Sequence, residues 1–186
     1  GAMAVDETNL ILFSNWIVRL MVKYSNLILI PERKSSGMTI IDNLLLQLPN
    51  YNIDPFRRIY NLIVDEALWK DKREFEAFND PLIRRPMQFY DKCKRYFGFT
   101  TAGSGYHSRN GLYENTLQKA ARLGGHCIND GGLTQEITSL VVKNGRIDHT
   151  AGGHDDRVIG WLLAVWMLSW SKNLSYYGIH TPLIGA

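Results

Sequence analysis

The sequence predicts an α/β fold, a mixed sheet flanked by helices, and three observations carry that expectation. Segments with helical periodicity alternate with short strand-like ones. The run Leu27-Ile28-Leu29-Ile30 is apolar at every position and is ended by Pro31, the pattern of a strand covered on both faces. The 186 residues are 45% hydrophobic and 21% charged, enough for one domain with a sizeable core. That composition excludes a disordered, collagen-like or disulfide-scaffold chain.

The elements follow in order. Leu10, Phe13, Ile17, Leu20 and Tyr24 recur at three- and four-residue steps, which predicts a helix over residues 8–24 with Thr8 as its cap. After Asn26 comes the apolar run, and then polar residues from Glu32 to Gly37. Ile40, Ile41, Leu44, Leu45 and Leu48 predict a helix over residues 38–48, stopped by Pro49. Residues 51–95 read as an insertion-like segment that interleaves basic side chains, from Arg57 and Arg58 to Lys94 and Arg95, with aromatic ones. A helix is expected over residues 111–123, closed by Gly124-Gly125, and a short strand at His126-Cys127-Ile128. Thr134 to Leu140 predicts another helix, with Gln135 and Glu136 in its first turn. Asn144-Gly145 between two extended runs predicts a hairpin. The chain's most apolar helix is expected over residues 158–170.

Charge and cysteine content narrow the function classes. Lys and Arg number 21 and Asp and Glu 18, for a net charge of +3. That sum does not identify a polyanion-binding protein, so a nucleic-acid partner rests on local charge. The basic, aromatic segment is the one candidate surface. Cys93 and Cys127 form neither a disulfide framework nor a zinc motif, and read as free thiols in a reducing compartment. Residues 1–3 read as the remnant of a removed tag, which leaves residues 4–186 as one domain. No secretory signal is expected. The uncharged stretch from Val158 to Ser171 has 14 residues, short of the roughly 20 needed to span a bilayer.

Two constellations carry chemistry. Glu32 follows the apolar run, and carboxylates at the C-terminal ends of strands sit where open α/β sheets place ligands. Gly152-Gly153-His154-Asp155-Asp156-Arg157 precedes the apolar helix. One Asp suffices to cap a helix. Two beside an imidazole and a flexible Gly-Gly make an oxygen-rich site for a hard cation such as Mg²⁺. Such a cation polarises a phosphodiester, and two ions clamp its attacking and leaving oxygens. His154 reads equally as an orienting group, a proton carrier or a core histidine.

Taken in order, Pro31-Glu32-Arg33-Lys34-Ser35-Ser36-Gly37, then Phe97-Gly98-Phe99-Thr100-Thr101, then Glu136, the Asn-Gly hairpin and Gly152-Gly153-His154-Asp155-Asp156-Arg157-Val158 resemble the C-terminal nuclease domain of the large terminase subunit of tailed bacteriophages. The resemblance covers residues 8–170. It implies an RNase H-like mixed sheet whose acidic cluster binds two Mg²⁺ or Mn²⁺ ions. The implied activity is endonucleolytic cutting of concatemeric double-stranded viral DNA during genome packaging, in the host cytoplasm. Glu32, Asp155 and Asp156 would be the catalytic metal ligands, with His154 beside them. Gly37 would let the backbone turn close to the site. Arg33, Lys34, Arg57 and Arg58 are the DNA-binding candidates. The implied partners are double-stranded DNA, the terminase ATPase domain, the portal and the small terminase subunit, with no membrane.

The family's first catalytic Asp lies on a strand ahead of the helix placed here at residues 8–24. Asp6 falls in that order but stands too close to Glu32. The expectation is therefore that the first strand or strands are missing and the metal site is incomplete. No GxxxxGK[ST] phosphate loop is present, so the chain itself does not power translocation. The alternatives are a non-catalytic DNA- or partner-binding module of the same fold, or another RNase H-like nuclease such as a resolvase.

Overall fold

A computed structural model describes residues 9–65, 86–101, 108–171 and 173–180. Asp6, Thr8 and the central part of the basic segment, including Lys70, Arg73, Arg84 and Arg85, lie outside them. The chain divides into two compact units. Among the described residues one comprises 9–65, 86–100, 171 and 173–180, and the other 101 and 108–170.

The first unit starts with α1 (Leu10–Lys23) and α2 (Ser35–Gln47), packed on each other. Asn9 caps α1, its side chain accepting from the amides of Ile11 at 2.9 Å and Leu12 at 3.4 Å. That satisfies two of the donors every helix start leaves unpaired. The buried face of α1 is Ser14, Ile17, Val18 and Met21, not the expected line through Phe13 and Tyr24. Ser14 tolerates burial because its hydroxyl donates to the Leu10 carbonyl at 2.7 Å. Against this face α2 sets Ile41, Leu44 and Leu45, all buried. Among the described residues three short helices follow, α3 (Pro55–Arg58), α4 (Leu62–Asp65) and α5 (Met87–Cys93). The core of the unit is aromatic: Phe56 lies 4.7 Å from Phe97 and 5.9 Å from Tyr90, centroid to centroid.

Asn61 is fully buried here without an orphaned group. Its amide nitrogen donates to the carbonyls of Phe56 and Ile59, both at 3.0 Å, and its side-chain oxygen accepts from Val64 N at 3.1 Å. Its backbone N–H donates to the Tyr177 hydroxyl at 3.1 Å. A buried polar residue satisfied at every atom fixes the path of residues 56–64.

The second unit holds α6 (Arg109–Gly124), α7 (Gly131–Thr138), the strands β1 (Leu140–Lys143) and β2 (Arg146–His149), and α8 (Asp156–Trp170). The expected hairpin forms, with Leu140 opposite His149 and Lys143 opposite Arg146. Asn144 and Gly145 take φ of 51° and 75°, the conformation a two-residue hairpin turn requires. Asp130 starts α7, accepting from Leu133 N at 2.7 Å, so Glu136 lies beyond the first turn. Val158, Ile159, Leu162, Leu163, Trp166 and Met167 form one buried face of α8, against α6 and α7. Leu168 on the opposite face is exposed, as is Trp170 at the C-terminal end of the helix. The short strand expected at His126-Cys127-Ile128 does not form: Gly125–Cys127 is a 3₁₀ turn. Among the described residues, no helix is long and apolar enough to cross a membrane.

The expected α/β, RNase H-like mixed sheet is not formed. Helix makes up 65% of the described residues, and the hairpin is their only sheet. The apolar run pairs only through isolated bridges. Leu29 meets Ile59 and Glu32 meets Phe99, both parallel, and Asn61 meets Phe97 antiparallel. The physical reasons are local. Pro31 has no N–H to give a ladder. Residues 59–61 are held between two helical turns. Gly98 takes a φ of +83°, which ends extended pairing after a single rung. The residues of the run are half-buried rather than covered on both faces.

Candidate functional site

In the first unit the structure joins two of the motif segments. Phe99 N donates to Pro31 O at 2.8 Å and Arg33 N to Phe99 O at 2.7 Å. Gly98 is required there, because a Cβ would lie 2.7 Å from Arg33 Cγ and 2.8 Å from Pro31 O, besides the cost of its positive φ. Gly37 opens α2 directly against Glu32, whose carbonyl oxygen its Cβ would overlap. Glu32 is half-buried, its Oε1 2.8 Å from Lys34 Nζ. Arg58 turns inward. Its guanidinium donates to the carbonyls of Leu27 at 2.7 Å, Met21 at 2.9 Å and Tyr24 at 2.6 Å, satisfying carbonyls at the end of α1. Arg57 lies 4.6 Å over the Tyr176 ring and donates to the Tyr176 carbonyl at 3.1 Å.

In the second unit the Gly-Gly-His-Asp-Asp segment turns into α8. Gly152 has a φ of +74°, and Gly153 N donates to Thr150 O at 2.9 Å. His154 and Asp156 are exposed, and Asp155 is buried. The Asp155 carbonyl accepts from Ile159 N at 2.9 Å, the first helical bond of α8. Its carboxylate oxygen Oδ2 accepts from the Tyr113 hydroxyl at 2.6 Å and from Arg109 Nη2. The same guanidinium nitrogen lies 3.7 Å from Asp148 Oδ1 at the end of β2. Burial first, and the hydrogen bond to Asp155 second, push the Tyr113 phenol up, so it stays a donor. Burial pulls Arg109 down, but the hydrogen bond and charge of Asp155 outweigh it and leave it above its ordinary value.

Sequence reasoning missed Arg109 and Tyr113. In the sequence they show only as residues four apart, which a helix sets on one face, and nothing local ties them to Asp155. The same unit uses Glu136 to cap α8, its Oε2 accepting from Arg157 N at 2.9 Å and Val158 N at 3.3 Å.

Asp148 is held below the ordinary carboxylate range. The His149 backbone N–H, donating at 2.9 Å, is the largest cause, and the charges of His149, Arg109 and Lys143 act in the same direction. A carboxylate whose pKa falls on folding stabilises the fold above its unfolded pKa, and that share is lost as the pH drops through the folded value. We therefore expect the urea midpoint of the second unit to fall between neutral and acid pH less steeply in Asp148→Asn than in the parent. Equal slopes would assign the Asp148 contacts no role.

The resemblance implies Mg²⁺ or Mn²⁺, and the residues in this arrangement do not fit such an ion. The Asp155 oxygen is taken by a guanidinium and a phenol. Among the described residues no group of three or more His, Cys, Asp or Glu side chains is placed to hold a metal. Of the expected ligands, Asp155 and Asp156 are neighbours in the second unit, while Glu32 belongs to the first. Comparisons of the chain with protein-family models, curated proteins and solved structures find no match.

Proposed function

We propose that the chain is an endonuclease that cuts double-stranded DNA in viral genome packaging, with Asp155 and Asp156 at the start of α8 as its working acids. One observation supports this most: each unit draws its own motif segments together. Residues 31–33 pair with Gly98-Phe99 in the first. In the second, Glu136 bonds the first amides of α8, and Arg109 links Asp148 of the hairpin to Asp155. Segments far apart in sequence need not meet if they only cap separate helices. The exposed Asp156 carboxylate and His154 imidazole flank the start of α8, where a proton acceptor and a proton carrier would act on DNA.

Supercoiled plasmid incubated with the chain in Mn²⁺, Mg²⁺ or EDTA tests the reading. The expected result is nicking that Asp156→Ala slows at least about tenfold, near 1.4 kcal/mol in the barrier. Equal cutting by parent and variant would remove Asp156 from the site. A second reading, a non-catalytic DNA- or partner-binding module, is favoured by the engagement of Asp155 with Arg109 and Tyr113. It predicts retention of duplex DNA without cutting, independent of metal and steeply weakened by salt, each neutralised phosphate adding a slope of about −0.9.

A further inference from the structure

We infer that Glu136 is a positioning residue: it fixes the N-terminus of α8 and with it the angle at which Asp155 and Asp156 are presented. The inference rests on the proposed role of those two acids. Helix starts are ordinarily capped by the preceding residue, whose side chain reaches the amides two or three positions on. In α8 the preceding residue, Asp155, has turned its carboxylate to Arg109 and Tyr113 instead. The amides of Arg157 and Val158 are left to another group, and Glu136 reaches them from α7, 21 residues earlier for Arg157.

This carboxylate is well placed for that task. Its side chain is 14% exposed, and its second oxygen lies 3.8 Å from Arg157 Nη1. A negative charge at a helix N-terminus is favoured by the helix dipole as well as by the amides. The neighbouring Gly132 is part of the arrangement, because a Cβ there would overlap the Arg157 guanidinium. Glycine at the start of α7 lets Arg157 lie flat against that turn beside Glu136. The start of α8 is thus held from two sides, by Glu136 through its amides and by Arg109 and Tyr113 through Asp155. A side chain held in this way has few orientations open to it, and a misplacement of about 1 Å in a reacting group can cost about 100-fold in rate.

The test compares Glu136→Ala and Glu136→Gln in the full chain, by plasmid nicking in Mn²⁺ and by amide hydrogen exchange. Glutamine keeps an oxygen for the two amides, and alanine does not. We expect Glu136→Ala to lose exchange protection at Arg157 and Val158 and to nick about tenfold more slowly at saturating plasmid, with the plasmid KM unchanged. Glu136→Gln should restore both protection and rate to within a few-fold of the parent. Parental protection and rate in Glu136→Ala would overturn the inference. So would lost nicking with protection intact and no rescue by glutamine, since Glu136 would then act in the site itself. If the parent does not nick, the proposed function fails, and the exchange data alone decide whether Glu136 holds the helix start.

Discussion

Arg109→Ala is expected to lower the unfolding free energy of the second unit by about 2–3 kcal/mol, the larger part of it from Asp155. Asp155 is only 5% exposed, and its Oδ2 is shared by Arg109 and the Tyr113 hydroxyl. Removing one partner of a buried ion pair strands the other charge, which costs about 3–5 kcal/mol when both are fully buried. The Arg109 side chain is 35% exposed, so water can enter the gap and the expected loss sits below that range. Tyr113→Phe removes a single hydrogen bond to a charged group and should cost about 1.5–3 kcal/mol. Arg109→Ala combined with Asp155→Asn separates the ion pair from packing: if the stranded charge is the cause, the double variant is more stable than Arg109→Ala alone. Urea unfolding in a background with Trp16→Phe and Trp69→Phe, followed by the fluorescence of the remaining Trp161, Trp166 and Trp170, measures all of these. A shift under about 0.5 kcal/mol in Arg109→Ala would place it among ordinary surface substitutions and refute the role given to the pair.

That pair also marks where reading the sequence stops. Asp155 and Asp156 were legible as acids opening an apolar helix, because helix starts and apolar periodicity are local signals. The hairpin was legible because Asn-Gly specifies its turn within four residues. Helices α1, α2, α6 and α8 were legible from their spacing, although the buried face of α1 is turned to Ser14, whose hydroxyl is paired to its own helix. What Asp155 touches was not legible, since Arg109 and Tyr113 lie 46 and 42 residues away. The misread sheet has the same origin. An apolar run announces burial, but pairing depends on partners elsewhere, and here residues 59–61 and 97–99 each offer only a rung or two. The capping role of Glu136 was hidden likewise, because a side chain that caps another helix carries no mark in its own neighbourhood.

Gly37→Ala is expected to be among the most damaging single substitutions in the first unit, at about 3 kcal/mol, the upper end of the usual cost of overpacking. The added methyl would overlap the Glu32 carbonyl oxygen and lie 3.0 Å from its carbon. The obstacle is backbone, so no rotamer change relieves it. Either the first turn of α2 lifts away, breaking the bond from Met38 N to Lys34 O, or residues 31–33 shift and lose the two bonds that tie them to Phe99. Helix propensity acts the other way, since alanine gains up to about 1 kcal/mol over glycine inside a helix. Gly160→Ala isolates that gain, because a Cβ there meets nothing within 4 Å. The expected pattern is therefore opposite in sign: Gly160→Ala stabilises its unit, while Gly37→Ala destabilises its own and exposes the Arg33 and Phe99 amides to exchange. Full protection of both amides in Gly37→Ala would mean that α2 does not press on Glu32, and the placement of this carboxylate would then depend on the Phe99 pairing alone.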